Sequence, residues 1–318
     1  MARIAYGCSK LLHFFLSNRE KEDWRFDYVV DQSYADLTFC GLPVVKPREF
    51  EARKTASDVV YVFAVSNGAV NSILSYLTQI GCRLGLNVVL YSDLFREDFR
   101  ASVARQIGWD LDDRLFQFAT AYTLNSSKPI HTTICGTWLF LEVLRRIGAG
   151  PGQIAEVGAF EGGNALCALQ SPVWPEDRVY YLFDSFEGFP ELSKRDPTAH
   201  KAGDYRTSKS YEEVLIPFDA YKQAKFIRGF VPDTFAAVPP NERFSLVFYD
   251  CDLYQPALDT FEFFWNRMDS GSAMIVHDYF AETNGFTGVR DACSEFFREK
   301  EFKKAEFWHN TMAVFFKT

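Results

Sequence analysis

Four side chains able to coordinate a cation or move a proton stand in two short runs, Asp250-Cys251-Asp252 and His277-Asp278. Each run directly follows an apolar stretch, Phe244 to Tyr249 in one case and Ala273 to Val276 in the other. Stretches of that length and composition read as strands buried on both faces. The chemistry then sits where strands end, and neighbouring parallel strands would bring all four groups to one rim, the place where α/β folds build their sites. Alternation points Asp250 and Asp252 to one side and Cys251 to the other. Three carboxylates and an imidazole in one place are costly unless a cation neutralises them. A divalent-cation site and a general base are the functional readings. Loop caps with an ion pair are the structural one.

A second constellation, Glu156-Val157-Gly158-Ala159-Phe160-Glu161-Gly162-Gly163-Asn164, falls where one strand ends and a helix begins. Glycines at such a turn let backbone approach a ligand, and the N–H groups of the helix start offer donors. The spacing G-x-x-x-G-G is not G-x-G-x-x-G, and Glu156, two residues ahead of Gly158, would repel a pyrophosphate but suit an ammonium. S-adenosylmethionine carries an ammonium and NAD carries a pyrophosphate, so Glu156, Gly158 and Gly162 are expected to bind the former. The next strand ends in Asp184-Ser185-Phe186, where Asp184 is placed to accept both hydrogen bonds of a ribose diol. Ser185 adjoins it, and Phe186 reads equally as an adenine contact and as core.

Strands must present these groups. Ile154 to Val157, Val179 to Phe183, Lys225 to Ile227, Phe244 to Tyr249 and Ala273 to Val276 alternate with segments long enough for crossover helices, which predicts a parallel sheet with helices on both sides. Ala305 to Trp308 and Met312 to Phe316 are joined by only His309-Asn310-Thr311, too short for a crossover, so they predict an antiparallel hairpin. A helix capped by Thr132 or Thr133, with an apolar face through Leu139, Leu141, Val143, Leu144 and Ile147, leads into this half. The segment from Phe280 to Gly288, with Asn284 and Gly285, reads equally as a closing loop and as plain surface.

The first 125 residues are less legible. Ala2 to Ser17 reads as an amphipathic helix. Val59 to Val65, a helical run from Val70 to Leu84, and Asn87 to Tyr91 form one βαβ unit around Ser66-Asn67-Gly68, a turn too poor in glycine to be a phosphate loop. Residues 1–125 are therefore assigned to an N-terminal α/β region whose role, packing, dimerisation or substrate binding, stays open, with packing or dimerisation favoured over a nucleotide site, and residues 126–318 to the catalytic domain. Whether the chain self-associates is left open.

Composition narrows the function classes. The 318 residues carry 34 Lys and Arg against 42 Asp and Glu, a net charge of −8, with no basic block, which argues against nucleic acid as partner. Hydrophobic residues make 47% of the chain and its apolar start is too short to span a membrane, so a globular protein without a membrane partner is expected. Seven cysteines without C-x-x-C spacing suggest a reduced, cytoplasmic setting. Aromatics at 17% supply a dense core and leave room for an apolar or sugar-facing pocket.

Taken in order, E-V-G-x-x-x-G-G, D-S-F-E-G-x-P, R-G-x-x-P-D-T-F (Arg228 to Phe235), Asp250-Cys251-Asp252-Leu253-Tyr254, H-D-Y (His277 to Tyr279) and Gly288-Val289-Arg290-Asp291-Ala292 resemble the TylF-type macrocin O-methyltransferase family over about residues 125 to 318. The resemblance implies a class I, Rossmann-like methyltransferase sheet ending in the antiparallel hairpin. It also implies S-adenosylmethionine as methyl donor, a divalent metal such as Mg or Mn, and a small hydroxylated acceptor such as the sugar of a natural product. By the same resemblance Asp250 is a metal ligand, Asp252 the base, and His277-Asp278 stand in place of the family's D-D ligands. His277 departs from that pattern. Three arrangements stay open: Mg held by Asp250 and Asp278 with His277 outside the shell, a softer metal that accepts imidazole, or a metal-free site with His277 as base. A two-domain sugar-nucleotide transferase and an inactive binding module are the competing functions. A dehydrogenase is disfavoured by the glycine spacing and the hairpin.

Overall fold

The computed structural model describes residues 1–18, 25–148, 150–196, 200–280, 287–307 and 311–318. The chain forms two compact units. One comprises Met1–Ala101 and Thr123–Cys135, the other Ser102–Tyr122 and Gly136–Thr318. No single cut near residue 125 separates them, because 102–122 pack with the second unit and 123–135 with the first.

The first unit contains β1 (Arg3–Tyr6), α1 (Lys10–Asn18), β2 (Tyr28–Val30), β3 (Thr38–Phe39), β4 (Leu42–Val45), α2 (Pro47–Arg53), β5 (Val59–Val62), α3 (Asn67–Gln79) and β6 (Val88–Leu90). Its sheet has the order β3-β4-β2-β1-β5-β6, parallel throughout except for β3 against β4. The βαβ reading of 59–91 holds, with Ser66 capping α3 through its hydroxyl at 3.3 Å from the Ala69 N–H. The start is not one helix. Arg3–Tyr6 is a central strand and the helix begins only at Lys10, after Gly7 at φ +104°. The apolar Ile4, Ala5 and Tyr6 satisfy a buried strand as well as a helix face, and a short run cannot tell them apart. Phe15, Phe26, Phe63 and Phe95 interlock at 5.4–5.7 Å in its core, edge to face except for the tilted Phe15–Phe26 pair.

α4 (Tyr91–Ile107), α5 (Asp113–Asn125) and α6 (Ile134–Val143) follow. Thr132 to Leu144 are all buried, so α6 is covered on every side rather than along one apolar face. Within the second unit its fully buried Glu142 pairs with Arg145 at 2.6 Å and Arg146 at 3.6 Å.

The second unit holds β7 (Gln153–Val157), α7 (Gly163–Gln170), β8 (Tyr180–Asp184), α8 (Tyr211–Leu215), β9 (Ala224–Arg228), β10 (Phe244–Tyr249), α9 (Tyr254–Trp265), β11 (Met268–Val276), α10 (Thr287–Phe296), β12 (Phe302–Phe307) and β13 (Met312–Lys317). The sheet order is β12-β13-β11-β10-β7-β8-β9. Five strands are parallel, and β13 runs antiparallel to both β11 and β12, giving the expected hairpin. This is the α/β arrangement expected of a class I methyltransferase. Phe183, Phe235, Phe244 and Phe264 pack at 4.8–5.9 Å on one face of the sheet, so much of the aromatic excess is core. Residues 281–286, with Asn284 and Gly285, and residues 308–310 of the hairpin turn lie outside the described residues.

Candidate functional site

Register fixes the site. Val157 pairs with Phe183 on one side and Tyr249 on the other, and Tyr249 pairs with Val276. Asp184, Gly158, Asp250 and His277 are the next residues on four adjacent strands, so they stand in a row at the carboxyl edge. Backbone bonds continue the ladder there: Gly158 N–H donates to Phe183 O at 2.9 Å, Asp250 N–H to Val157 O at 2.8 Å and His277 N–H to Tyr249 O at 2.9 Å. Strands so knit are ~4.8 Å apart, which makes the row a single rim.

At the middle of the row Gly158 has φ +94°, and a Cβ there would run into the Asp250 carbonyl. Glycine is thus required by the contact between two strand ends as well as by backbone angle. Glu156 is buried, and its Oε2 accepts from the Tyr180 hydroxyl at 2.8 Å. Burial pushes its carboxyl up to about 8, helped by the charge of Asp250 and opposed by hydrogen bonds from Tyr180 and Asn164. Gly162 has φ +76° at the start of α7, and a Cβ would meet the Phe218 ring, so this glycine answers to packing. Glu161, not singled out in the sequence, is buried and held by the Thr207 hydroxyl at 2.7 Å and Lys209 at 2.5 Å.

Asp184 is engaged on both oxygens. Oδ2 accepts from Phe160 N–H and Oδ1 from Phe186 N–H, each at 2.7 Å, so the carboxylate ties the loop after β7 to the loop after β8. Ser185 serves the same turn, donating to Gly188 O at 3.0 Å and accepting from Glu187 N–H at 3.1 Å. Phe186, at φ +59°, is buried edge-on to Tyr211 at 5.0 Å.

At the other end of the row the four candidate groups converge. Ligand atoms of Asp250, Asp252, His277 and Asp278 all lie within 4.8 Å of one another. His277 Nδ1 is 2.8 Å from Asp250 Oδ1 and 3.0 Å from Asp278 Oδ2, and its Nε2 is 3.3 Å from the Thr311 hydroxyl. Burial works to lower the His277 pKa, but Asp250 and Asp278 together overcome it and hold the imidazolium well above its ordinary range. Burial, then Asp278 and Asp250, push the Asp252 carboxyl well above the carboxylate range. Asp252 and Asp278 adopt φ +62° and +52°, positions that Asp tolerates better than most residues. Asp252 Oδ1 is buried without a hydrogen-bond partner. Three carboxylates, one of them with an orphaned oxygen, form a donor set that fits a divalent cation, and the imidazole beside them widens the choice beyond Mg.

Sequence reasoning missed Tyr180, Thr311 and the Glu161–Lys209 pair. Each belongs to an element whose own pattern is ordinary, and only strand pairing or loop return brings it to the site. Among the described residues no helix is long and apolar enough to cross a membrane.

The 8-demethyl-8-(2,3-dimethoxy-alpha-L-rhamnosyl)-tetracenomycin-C 4'-O-methyltransferase of Streptomyces olivaceus is 27% identical over 165 residues, 46% of this chain and 62% of that protein. The mycinamicin III 3''-O-methyltransferase of Micromonospora griseorubida is 27% identical over 145 residues, 41% of this chain and 56% of that protein. The chain thus spans less than two thirds of the length of these curated relatives. The solved calicheamicin methyltransferase CalS11 is similar with a TM-score of 0.49 and 20% identity, covering 64% of this chain and 91% of that one. The family model described as Macrocin-O-methyltransferase (TylF) matches residues 142–318, more than half of the chain and the whole of the row just described, and the chain belongs to that family.

Proposed function

We propose that the chain is an S-adenosylmethionine-dependent O-methyltransferase acting on a hydroxyl of a small glycosylated natural product in the cytoplasm. The observation that carries the reading is the single row of Asp184, Gly158, Asp250 and His277, with an acid-lined glycine turn at its centre and an acid and base cluster at one end. S-adenosylmethionine supplies an already activated methyl group, so the chain has to bind it, align a hydroxyl and remove a proton. Glu156 pairs with the ammonium, Gly158 and Gly162 shape the turn beneath it, and Asp184 with Ser185 holds the two loops that flank the ribose. Phe186 backs the adenine side. Asp252, whose Oδ1 is buried and unpartnered, would take the hydroxyl proton once positive charge beside it holds its carboxyl ionised.

Asp250 and Asp278 would hold a divalent cation, with His277 as third ligand or just outside the shell, and the cation would supply positive charge that lowers the pKa of the acceptor hydroxyl. A second reading is favoured by the contact of His277 Nδ1 with both Asp250 and Asp278. There the neutral imidazole, its Nδ1–H directed at the two carboxylates, accepts the hydroxyl proton on Nε2, and the imidazolium so formed neutralises the cluster. Transfer of labelled methyl to a panel of rhamnosylated and other glycosylated acceptors tests the function. Label on a sugar hydroxyl is expected, lost with chelator and in Asp250→Ala while binding of S-adenosylhomocysteine persists. Binding without transfer to any acceptor would make the chain a binding module. Full activity in chelator would select the metal-free reading, and His277→Asp should then cost ~100-fold or more. With a metal present, the same variant should stay active and shift its preference toward Mg.

A further inference from the structure

The first unit repeats the plan of the cofactor row. Taken in chain order, its parallel strands β1, β2, β4, β5 and β6 lie side by side as third, second, first, fourth, fifth, and so do β7, β8, β9, β10 and β11 of the second unit. Strand order reverses between β1 and β5 as it does between β7 and β10. Crevices at such reversals, beyond the carboxyl ends of the strands, are where doubly wound sheets take ligands. The register at the edge is also the same. Tyr6 pairs with Val30 and with Val62, so Asp31, Gly7 and Phe63 are the next residues on three adjacent strands. Gly7 N–H donates to Val30 O and Phe63 N–H to Tyr6 O, both at 2.9 Å, matching the bonds of Gly158 to Phe183 and of Asp250 to Val157. Gly7 has φ +104°, and a Cβ on it would strike the Phe63 carbonyl, as one on Gly158 would strike that of Asp250. Asp31 Oδ2 accepts from Cys8 N–H at 2.7 Å, and its Oδ1 from the Ser33 and Tyr34 N–H groups at 2.8 Å. Asp31 thus joins the loops after β1 and β2 as Asp184 joins those after β7 and β8.

The differences between the two rows decide the ligand. Two residues ahead of the glycine, where the second unit has Glu156, stands the buried Ala5. An ammonium loses its partner there, and a phosphate loses the carboxylate that would repel it from the turn Gly7-Cys8-Ser9. The charge of Asp31 is taken up by three N–H groups, and Lys46, next in the row after β4, donates to Gln32 O at 3.1 Å and Tyr34 O at 2.6 Å, setting a cation beside the same loop. Phe63 and Val65 occupy the places of Asp250 and Asp252, so this row carries no group there to move a proton. Phe63 and Tyr91, both buried, lie 5.6 Å apart, and Tyr91 lies 4.5 Å from Phe95, so rings fill the edge at β5 and β6. The start of α3 is occupied as well: Asn67 N–H donates to Ile130 O at 3.1 Å, and its side chain donates to Lys128 O at 2.8 Å and accepts from Ile130 N–H at 3.0 Å. The edge at β1 and β2 is the accessible one. Gly7, Cys8, Ser9 and Asp31 are half-buried, and Gln32 and Ser33 are exposed. A helix expected over Ala2 to Ser17 concealed this turn, and Ser66-Asn67-Gly68, the turn that sequence offers, belongs to the occupied side.

We propose that the first unit binds a nucleoside 5′-phosphate at this reversal, with the ribose diol against the Asp31 loop and the phosphate against Gly7-Cys8-Ser9. The occupant is a mononucleotide without an ammonium, held and not transformed. The ring-filled half of the edge denies a place to the second nucleoside of a dinucleotide such as NAD. This goes beyond methyl transfer and takes from that reading only that the matching row of the second unit holds a nucleoside.

The test is calorimetric titration of the full chain, saturated with S-adenosylhomocysteine, with AMP, with UMP and with orthophosphate. One of the two nucleotides should bind with a dissociation constant below ~1 mM and slow hydrogen exchange in 3–9 and 28–34. Ser9 caps α1, its hydroxyl accepting from Leu12 N–H at 3.3 Å, and Asp caps equally well, so Ser9→Asp keeps the helix while setting a carboxylate at the phosphate. That variant should weaken the nucleotide ~10-fold or more, while Ser9→Thr stays within about twofold of wild type. Melting temperature and affinity for S-adenosylhomocysteine should be unchanged in both, whereas a merely structural role for Ser9 would leave nucleotide binding unchanged. No heat from either nucleotide, equal affinity in wild type and Ser9→Asp, or orthophosphate binding as tightly as the nucleotide overturns the proposal. So does nucleotide binding that S-adenosylhomocysteine abolishes, since the ligand would then occupy the second unit. Failure of S-adenosylhomocysteine to bind wild type would strike the methyl-transfer reading instead, and nucleotide protection of 3–9 and 28–34 in the unsaturated chain would still uphold this one.

Discussion

Glycine 158 shows how little latitude the row allows. Its positive φ and its contact with the Asp250 carbonyl both forbid a Cβ, so Gly158→Ala should destabilise the second unit by ~3 kcal/mol or more and lower its melting temperature by roughly 6–12 °C. A melting curve within 2 °C of wild type, an order-of-magnitude margin, would contradict this account of the turn. Glu156 makes a prediction about pH. Burial raises its carboxyl from the ordinary 4.5 to about 8, so between those values the unfolded chain gives up the proton first. The ligand-free protein should therefore lose stability as pH rises through that window, on the order of a few kcal/mol at most. Glu156→Gln removes the slope. Parallel stability curves for wild type and variant from pH 5 to 9, roughly the span of the shift, would contradict it. If the cofactor ammonium pairs with Glu156, binding below pH 8 should also release a proton, visible as a buffer-dependent heat.

Asp184 acts between elements, since its carboxylate joins the loops after β7 and β8 through two backbone N–H groups. Asp184→Asn keeps at best one of those bonds and should cost ~1.5–3 kcal/mol of stability and weaken S-adenosylhomocysteine in parallel. Stability lost with cofactor affinity unchanged would confine Asp184 to the fold. β7, β8, β10 and the second half of β11 were legible because each is a buried apolar run ending in polar, chemistry-bearing residues, and the hairpin because its connection is too short to cross the sheet. β1 was not, because four apolar-rich residues fit a helix face as well as a strand and only the pairing with β2 and β5 decides between them. The rim carboxylates were legible from strand ends alone. The engagement of Asp184 by backbone was not, because hydrogen bonds from a neighbouring loop leave no mark on side-chain spacing.

For the molecule as a whole, the two units each have their own sheet and core, and the proposed cofactor row belongs to the second. Saturating S-adenosylhomocysteine at 100 times its dissociation constant should add ~2.7 kcal/mol to the unit that binds it. Hydrogen exchange should then slow in 153–188 and 249–254 while the strands at 3–6 and 59–62 keep their ligand-free rates. Equal protection of both sheets would contradict a site confined to the second unit. The most direct test of the central claim is calorimetric titration of the full chain with S-adenosylhomocysteine and, separately, with NAD. The row of Glu156, Gly158 and Asp184 predicts micromolar binding of the first, about 8 kcal/mol at the 1 M standard state, and none of the second. Tight binding of NAD with no heat from S-adenosylhomocysteine would contradict it.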